Sequence, residues 1–389
     1  MIETDVAVIG GGPGGSCAAA WLARRGLRTT LVDRDRFPRD KVCGEFLSWD
    51  ASPFLEDLGL SRELDELDAP VIDDCRIHAG SASTAFSLPR ASRGISRLRL
   101  DALLVARARA LGGEILEGWS ADETSRHEGS RTIHIRSTAG EMRELRARAV
   151  VGAWGRWGRL DLALGRDFVR DRGHRYIGFK RHYAGGVTAA ATIELHSFPG
   201  GYLGAQQIEG HLSNLCGLVH QGKIAGMRGG WPAFVREISC SSPSLARLLD
   251  GAAPAQEEFL SSEPVIFRPK SAAHEGMFLV GDAAGLIDPL TGNGMAMAIQ
   301  SAALCAALLP EFLGPQGPGA LARYATLHRD LFEGRLRASR MLASLMRNPL
   351  PLAAAIRSGL AGMLGGTAFR ATRASDRECA TILRLLGGH

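Results

Sequence analysis

The alternation of apolar and polar positions first indicates a small repeating unit at the start of the chain. Asp5-Val-Ala-Val-Ile9 is a short apolar strand pattern, residues 14–25 have the Ala-rich composition of a helix, and residues 28–32 form a second strand pattern. This order predicts a βαβ unit. Further along, residues 101–111 predict a helix that stops at a Gly-Gly pair, followed by a strand at 114–117.

The pattern changes in the middle of the chain and then changes back. Residues 176–267 form short alternating segments rich in Gly, Thr, Ile and Leu, which predict a mainly antiparallel sheet. A buried-strand pattern returns at 276–280 and a continuous helical stretch follows at 293–309. Residues 320–389 are predicted to be amphipathic helices, with Pro349 and Pro351 as breakers, and we interpret them as a helical cap rather than a membrane-docking surface.

Composition narrows the class of protein. The 389 residues carry 46 basic and 41 acidic side chains, and the many arginines are scattered among acidic neighbours rather than forming a basic stripe, which argues against nucleic-acid binding. The longest apolar run, Met295–Leu309, is interrupted by Gln300 and closed by Pro310, so no transmembrane segment is expected.

The cysteines and the N-terminus indicate a cytoplasmic protein. The seven cysteines are odd in number and widely spaced, without CxxC or Cys/His ligand spacing, so they are expected to be reduced thiols and no metal site is expected. The N-terminus enters a strand pattern at Asp5 without a positively charged leader, and no secretory signal is expected.

A glycine-rich loop gives the first chemical signal. Residues Gly10 to Gly15 satisfy GxGxxG between a predicted strand and helix, and Asp33 ends the next strand. Gly10 permits the tight turn, Gly12 lets the backbone approach a pyrophosphate, and Gly15 permits close helix–strand packing. The helix N-terminus then holds the phosphates while Asp33 accepts the ribose hydroxyls. The cofactor-binding residues predicted here are Gly10, Gly12, Pro13, Gly14, Gly15, Asp33 and Arg34.

These patterns predict an α/β fold. It consists of a Rossmann-like nucleotide-binding domain of the glutathione-reductase type, an inserted and mainly antiparallel β-sheet substrate domain, and C-terminal helices. The predicted nucleotide domain is discontinuous (1–70, 95–165 and 268–315), the sheet domain comprises 71–94 and 166–267, and the helical region is 316–389.

A second motif distinguishes between nucleotide cofactors. The segment from Gly281-Asp282 to Asp288-Pro-Leu-Thr-Gly-Asn-Gly294 closely resembles that of the flavoprotein superfamily of para-hydroxybenzoate-hydroxylase-type monooxygenases, geranylgeranyl reductases and flavin-dependent halogenases. The resemblance implies FAD, with the Gly-Asp pair on its ribityl chain. A helix opening after Gly292 can face the pyrimidine edge of the flavin, where reduced flavin is anionic. The site residues implied are Gly281, Asp282, Pro289, Gly292, Asn293 and Gly294.

Two shorter elements support the same family. Pro38 to Ser48 resembles the family's PRxKxCG segment near the isoalloxazine ring, which implies that Lys41, Cys43 and Gly44 bind the cofactor. Ser96 to Asp101 resembles its SRxxLD element, which implies that Arg97 lies by the cofactor.

The sequence also departs from the family. Trp154 stands where members usually have an acid in VVGADG, the halogenase WxWxIP element is missing, and Gly204 replaces the Trp of the reductases' YxWxFP box. The absence of a second GxGxxG argues against a separate NAD(P)H domain, so a nicotinamide would have to reach the open flavin face.

Several side chains are candidates for proton chemistry, and each has a structural alternative. Cys43 is either catalytic or a small buried hydrophobe, and Glu45 is either a base or an ion-pair partner of Lys41 or Arg39. In the strand pattern 178–183, Lys180 and His182 share one face and Arg181 and Tyr183 the other. The predicted catalytic candidates are Cys43, Glu45, His182, Tyr183 and Tyr202, with His182 or Tyr183 binding a phenolic substrate.

The first functional hypothesis is a single-component monooxygenase. External NAD(P)H would reduce the flavin, O2 would form a flavin C4a-hydroperoxide, and the sheet domain would hold an aromatic or lipophilic secondary metabolite, free or on a carrier protein. The alternative, motivated by Cys43, is an FAD-dependent reductase of prenyl-type alkenes or a dehydrogenase. A non-catalytic flavin-binding protein is the third hypothesis.

Overall fold

The computed structural model describes residues 1–171, 173, 175–185, 187–315 and 317–387. Its strands are β1 (Ile2–Ile9), β2 (Thr29–Asp33), β3 (Phe46–Leu47), β4 (Val71–Ala79), β5 (Ala82–Gly94), β6 (Glu114–Glu117), β7 (Trp119–His127), β8 (Ser130–Ser137), β9 (Met142–Gly152), β10 (Arg175–Ala184), β11 (Thr192–Phe198), β12 (Gly201–Ile208), β13 (Leu212–His220), β14 (Ala253–Pro254), β15 (Leu260–Ser261), β16 (Val265–Ile266), β17 (Ala273–His274) and β18 (Met277–Leu279). Its helices are α1 (Pro13–Arg24), α2 (Ser52–Asp57), α3 (Ser61–Glu66), α4 (Arg97–Ala110), α5 (Arg159–Ala163), α6 (Gln221–Ile224), α7 (Gly230–Cys240), α8 (Pro243–Leu249), α9 (Gly294–Leu313), α10 (Gly317–Met346), α11 (Pro349–Arg357), α12 (Leu360–Arg370) and α13 (Asp376–Gly387).

The first sheet is built around the predicted βαβ unit. Its strand order is β17-β18-β9-β1-β2-β6, with β1 parallel to β2 and β9, and the β7–β8 hairpin extends it from β9. Helix α1 packs against α4 and α9, and its buried alanines let these helices approach closely. The expected α/β fold with a Rossmann-like domain is confirmed.

The second sheet has the order β14-β10-β13-β12-β11-β4-β5-β3. Its neighbours run antiparallel except β11 and β4, which are parallel. The predicted antiparallel character is therefore correct for most of the sheet. Helices α6 to α8 interrupt the same segment, which the sequence analysis did not predict because their patterns are short and broken by Gly, Pro and Ser.

Strand alternation gives the second sheet two faces with different coverings. The outer face packs under α7 and α8 through an aromatic cluster that includes Phe179, Phe198 and Phe234. The inner face looks toward the loops that follow β2 and β18. Register places on the inner face Lys180, His182, Tyr202, Gly204, Gln206, Asn214, Cys216, Leu195 and Ile77.

The longest apolar helix lies in the core. By length and composition α9 could cross a membrane, yet 72% of its apolar window is buried inside the protein, where it packs against α1, α10 and α13. It continues through Pro310 to Leu313, so the predicted end at residue 309 is wrong. The pair α11 and α12 also passes that test, although it bends by 110° between the two helices.

The pair α11–α12 covers the part of the inner face of the second sheet that is formed around β4 and β5. Pro349 starts α11 at a position where its missing N–H costs nothing, so this proline begins a helix as well as ending one. Leu352 and Ile356 pack in a cluster with Tyr202 and Leu218 of the sheet. The opposite side of the pair leaves apolar side chains exposed, among them Leu350, Leu360, Met363 and Leu364.

Candidate active site

The glycines in the loop between β1 and α1 have different roles. Two are required by the packing of the protein itself, and a third borders open space. A Cβ on Gly10, whose φ is +105°, would lie 2.4 Å from the Ala153 carbonyl oxygen, and one on Gly15 would lie 1.8 Å from that of Gly10. At Gly12 the nearest atom to an added Cβ is Nη2 of Arg97, at 3.6 Å. The protein's own packing therefore requires Gly10 and Gly15, whereas Gly12 borders space that a ligand can use.

Asp33 fixes the shape of the glycine loop, and no side chain caps the N-terminus of α1. Oδ2 of Asp33 accepts the N–H of Gly11 at 2.6 Å, and Oδ1 accepts that of Asp35 at 2.8 Å. The N-cap position of α1 is Gly12, which has no side chain to satisfy the first N–H groups of the helix. These donors and the helix dipole suit a pyrophosphate. The ribose contact of Asp33 and a cofactor role for exposed Arg34 stay predictions.

A buried ion-pair network lies beside the glycine loop. Arg97 binds both carboxylate oxygens of Asp101, at 2.8 and 2.7 Å, and Nη1 of Arg39 lies 2.5 Å from the same carboxylate. Asp101 is fully buried, so these bidentate contacts fix the guanidinium of Arg97 near Gly12. The prediction that Arg39 or Lys41 pairs with Glu45 is wrong, because Arg39 binds Asp101 and Lys41 binds Asp35.

The segment that follows β18 lies close to the glycine loop, because both contact Ala298 of α9. Gly281 has a φ of +58°, and a Cβ there would lie 3.1 Å from that of Ala298, whose carbonyl oxygen also crowds Gly14. The Lys270 ammonium donates to the main-chain oxygen of Asp282 at 2.7 Å. Burial raises the pKa of the Asp282 carboxyl and lowers that of Lys270 to about 8.

The N-terminus of α9 is fixed by an aspartate that the sequence analysis missed. Nδ2 of Asn293 lies 3.1 Å from each carboxylate oxygen of Asp50, and Asp50 also accepts Nε2 of Gln300 and the N–H of Ala374. Within the described part of the chain, buried Oδ1 of Asn293 has no hydrogen-bond partner. Asp50 belongs to no recognisable motif, since its partners come from distant parts of the chain. Pro289 starts a short 3₁₀ turn, and Gly292 follows it at a φ of +63°.

Glu45, Lys180 and His182 form a buried group that we call the inner cluster. Oε1 of Glu45 lies 2.6 Å from Nζ of Lys180 and accepts the Arg97 N–H at 2.8 Å, while Oε2 lies 2.7 Å from Nε2 of His182. Nζ of Lys180 also lies 2.5 Å from Asp40. Burial lowers the pKa of Lys180, but the carboxylates of Glu45 and Asp40 outweigh it and raise that pKa. The predicted shared face of Lys180 and His182 is confirmed by the register of β10.

Cys43 lies next to this cluster as a neutral thiol. Its Sγ accepts the N–H of Glu45 at 3.4 Å, and its carbonyl oxygen accepts Nδ2 of Asn214 at 2.9 Å. Burial raises the pKa of the Cys43 thiol and also that of Cys216 on β13. Cys43 is therefore protonated at neutral pH, which suits a proton donor better than a nucleophile.

Two buried amide side chains on the inner face have polar atoms that lack a hydrogen-bond partner among the described residues. Asn214 and Gln206 are each 1% exposed, and among the described residues Oδ1 of Asn214 and both side-chain polar atoms of Gln206 have no hydrogen-bond partner. Buried polar groups are normally paired. A ligand between the inner face and the loops would provide the missing partners.

The two tyrosines predicted as site residues lie in different places. The hydroxyl of Tyr202 donates to Oδ1 of Asp288 at 2.6 Å, and Asp288 also pairs with Arg347. Burial raises the pKa of both Tyr202 and Asp288. Tyr183 lies on the outer face with Arg181 above its ring, so the structure does not bring it to Cys43, Glu45 and His182.

Comparison with known proteins agrees with this geometry. Residues 3–179 match the family model of an FAD binding domain, and residues 243–316 match that of squalene epoxidase. The menaquinone reductase of Mycobacterium tuberculosis is 29% identical over 323 residues, which cover 79% of this chain and 76% of that protein. The chain is an FAD-dependent oxidoreductase. The resemblance to the superfamily of hydroxylases, geranylgeranyl reductases and halogenases is thus confirmed.

Solved structures share the fold of this flavoenzyme. A geranylgeranyl bacteriochlorophyll reductase-like protein from Thermoplasma acidophilum is 20% identical with a TM-score of 0.77, over 99% of this chain and 96% of that one. A myxobacterial chondrochloren halogenase is 21% identical with a TM-score of 0.75, over 99% and 97% of the two chains.

The residues of the flavoenzyme fit FAD. The open side of Gly12, the uncapped N-terminus of α1 and the unpaired oxygen of Asn293 are features that a dinucleotide would complete. Trp154, which replaces the family's acid, donates its indole N–H to Asp161 at 2.9 Å and covers Gly152, where a Cβ would lie 2.3 Å from the ring. The indole therefore fills space at the end of β9 beside the glycine loop.

Proposed function

We propose that this flavoenzyme is an NAD(P)H- and O2-dependent monooxygenase that hydroxylates an aromatic, lipophilic small molecule. One oxygen atom of O2 enters the product and the other leaves as water, with NAD(P)H supplying the two electrons. The observation that carries the proposal is the inner cluster, a buried imidazole–carboxylate pair on the face that looks toward the flavin-binding loops. Such a pair can take a proton from a phenol at neutral pH.

Each member of the inner cluster has a separate task in this proposal. The bound flavin supplies the activation of oxygen. His182 accepts the hydroxyl proton of the substrate, and Glu45 orients the imidazole and stabilises it when it becomes charged. Lys180 holds the Glu45 side chain in place, because the ammonium lies 2.6 Å from Oε1 in a fully buried position.

The apolar part of the inner face supports a lipophilic substrate. Gly204 places no side chain over the middle of this wall, and a Cβ there would meet Leu195 at 3.4 Å, an ordinary contact distance. Ile77, opposite Leu195 on the neighbouring strand, continues the apolar surface. A Trp in place of Gly204, as in the reductase motif, would fill that space. The pair α11–α12 packs over part of this wall through Leu352 and Ile356 and so helps to exclude water from it.

The test is oxygen labelling with the FAD-loaded protein. A panel of alkylated phenols and related polyketides is incubated with NADH or NADPH under ¹⁸O₂, and products are analysed by mass spectrometry. We expect substrate-dependent NAD(P)H consumption and one ¹⁸O atom per product. Consumption that yields only hydrogen peroxide and unlabelled substrate across the panel would contradict the proposal. His182→Gln should reduce kcat by roughly 100-fold if the imidazole transfers the proton.

A second candidate is reduction of a prenyl-type alkene. The relative named menaquinone reductase and the structural neighbour described as geranylgeranyl reductase-like favour it, and the neutral Cys43 thiol is a suitable proton donor. Saturation of an isoprenoid substrate by reduced enzyme without O2, lost in Cys43→Ala, would establish this activity. Full activity of Cys43→Ala would remove the thiol from the reaction.

A further inference from the structure

The outer face of the second sheet carries a group of potential metal ligands remote from the flavin site. His78 on β4 and Glu194 and His196 on β11 form this group, which we call the outer cluster, and their ligand atoms all lie within 4.8 Å of one another. Oε2 of Glu194 lies 3.3 Å from Nε2 of His78 and 3.6 Å from Nε2 of His196. Both imidazoles therefore aim the same nitrogen at one carboxylate oxygen.

The imidazole nitrogens of the outer cluster are not satisfied by the protein. Within the described residues, both ring nitrogens of His78 and Nε2 of His196 are buried without a hydrogen-bond partner. The rings stack with their centroids 4.7 Å apart, and the side chains are 7% and 1% exposed. Buried polar atoms without partners are costly. Two neighbouring histidines turned toward one acid in this state point to a bound cation.

The local structure explains how the ligands are presented. Glu194 and His196 are separated by one residue on a strand, so both project to the same face, and the parallel pairing of β11 with β4 places His78 directly opposite His196. Oγ of Ser242, at the start of α8, lies 3.5 Å from Nδ1 of His196. A hydrogen bond at Nδ1 leaves Nε2 free to bind a metal.

We propose that the outer cluster binds a divalent first-row transition metal, with zinc as the reference ion. Two imidazoles and a carboxylate are a suitable ligand set for such an ion, and the partly exposed side of Glu194 leaves a further position for water. This site departs from the expectation of no metal, because the ligands come from separate strands and no Cys/His spacing marks them in the sequence.

A metal bound between β4 and β11 would also affect the opposite, inner face of the sheet. The ligands alternate along β4 and β11 with Ile77 and Leu195, which face the opposite way and form part of the proposed substrate wall. A metal would tie the two parallel strands together and fix the spacing of that wall. The site itself uses no atom of the flavin-binding loops, so its occupancy can be tested independently of the proposed reaction.

The experiment measures metal binding by the full-length, FAD-loaded protein. After removal of metals with a chelator, Zn²⁺ is titrated by calorimetry and Co²⁺ by its visible ligand-field bands. We expect one ion per chain and a Co²⁺ spectrum typical of four or five ligands rather than of the hexa-aquo ion. His196→Ala and Glu194→Gln should each weaken binding by at least about tenfold.

The control is a partly exposed histidine of the first sheet, which strand pairing places between Glu123 and Glu144. His134 lies 3.9 Å from Glu144 on the β7–β8 hairpin side of the first sheet, and His134→Ala should bind zinc like the unmodified protein. Equal weakening in this control, or unchanged binding in the outer-cluster variants, would overturn the proposal. Retained flavin absorption shows that a variant is folded. If a variant does not fold, an aquo-type Co²⁺ spectrum in the unmodified protein would overturn it.

Discussion

A glutamate contacts histidine on each face of the second sheet, Glu45 from the loop before β3 on the inner face and Glu194 from β11 on the outer face, but the surroundings of the two glutamates differ. Both oxygens of Glu45 are used, by Lys180 and the Arg97 N–H on one side and by His182 on the other. Glu194 instead has two imidazoles at distances too long for good hydrogen bonds. A satisfied network fixes its members in place, whereas an unsatisfied one has capacity for a ligand.

Breaking the inner cluster is expected to have the largest effect. Glu45→Ala leaves the fully buried ammonium of Lys180 with one carboxylate partner fewer, which we expect to cost about 3–5 kcal/mol of the free energy of unfolding. Urea unfolding followed by flavin fluorescence measures it. Glu56→Ala on α2 is the control, because that side chain is exposed. A loss as small as that of the control would show that Glu45 does not stabilise the buried cation.

Filling the outer cluster should give the next largest effect. Zinc at a free concentration 100-fold above its Kd should add about 2.7 kcal/mol to the free energy of unfolding, and a chelator should reverse the gain. Thermal unfolding with and without zinc measures the change. His78→Ala should lose it, whereas Glu45→Gln should keep it because the inner cluster lies on the other face. Equal stabilisation of His78→Ala would place the zinc elsewhere.

In the metal-free protein, the free energy of unfolding should depend on pH through the Glu194 carboxylate on the outer face. The neighbouring imidazoles of His196 and His78 lower the pKa of Glu194 from 4.5 to about 2. A lowered pKa in the folded state means that the carboxylate stabilises the protein above about pH 4.5 and that this stabilisation is lost as the pH falls toward 2. Because Glu194 is partly exposed, we expect about 1–2 kcal/mol.

The matched variant for this pH effect is Glu194→Gln, which cannot ionise. In the presence of a chelator, the stability difference between the unmodified protein and Glu194→Gln should shrink as the pH is lowered from 6 toward 3 in steps of about one unit. Unfolding in urea at each pH gives the difference. A constant difference would show that the imidazoles do not act on this carboxylate.

The sequence predicted best what depends on neighbouring residues. The glycine loop, Asp33 at the end of β2 and the Gly281–Gly294 segment are local motifs, because a tight turn and an open helix end are encoded within a few positions. Period-two alternation likewise placed Lys180 beside His182 correctly. Alternation alone did not show which side of the strand faces the cofactor loops.

What the sequence did not predict depends on distant contacts. The partners of Glu45 come from β10, those of Asp50 from α9 and the segment before α13, and the outer cluster joins β4 to β11. Such pairings are decided by sheet order and register, which a single sequence leaves open. The same reason explains why Tyr183, two positions from Arg181, was a candidate although its ring lies under α7 and α8.

The smallest expected effect compares thiols on the two sides of the sheet. Burial raises the pKa of Cys43, which lies in the loop facing the inner face, whereas Cys240 on α7, beyond the outer face, is exposed. Since the thiolate is the reacting form, iodoacetamide at pH 7.5 should modify Cys43 at least about tenfold more slowly than Cys240. Peptide mass spectrometry follows both sites, and buried Cys75, with a pKa raised to about 12, should stay unmodified in the folded protein. Rapid modification of Cys43 would mean that Arg97, which lowers its pKa, outweighs burial, and the thiol would then be a nucleophile rather than a proton donor.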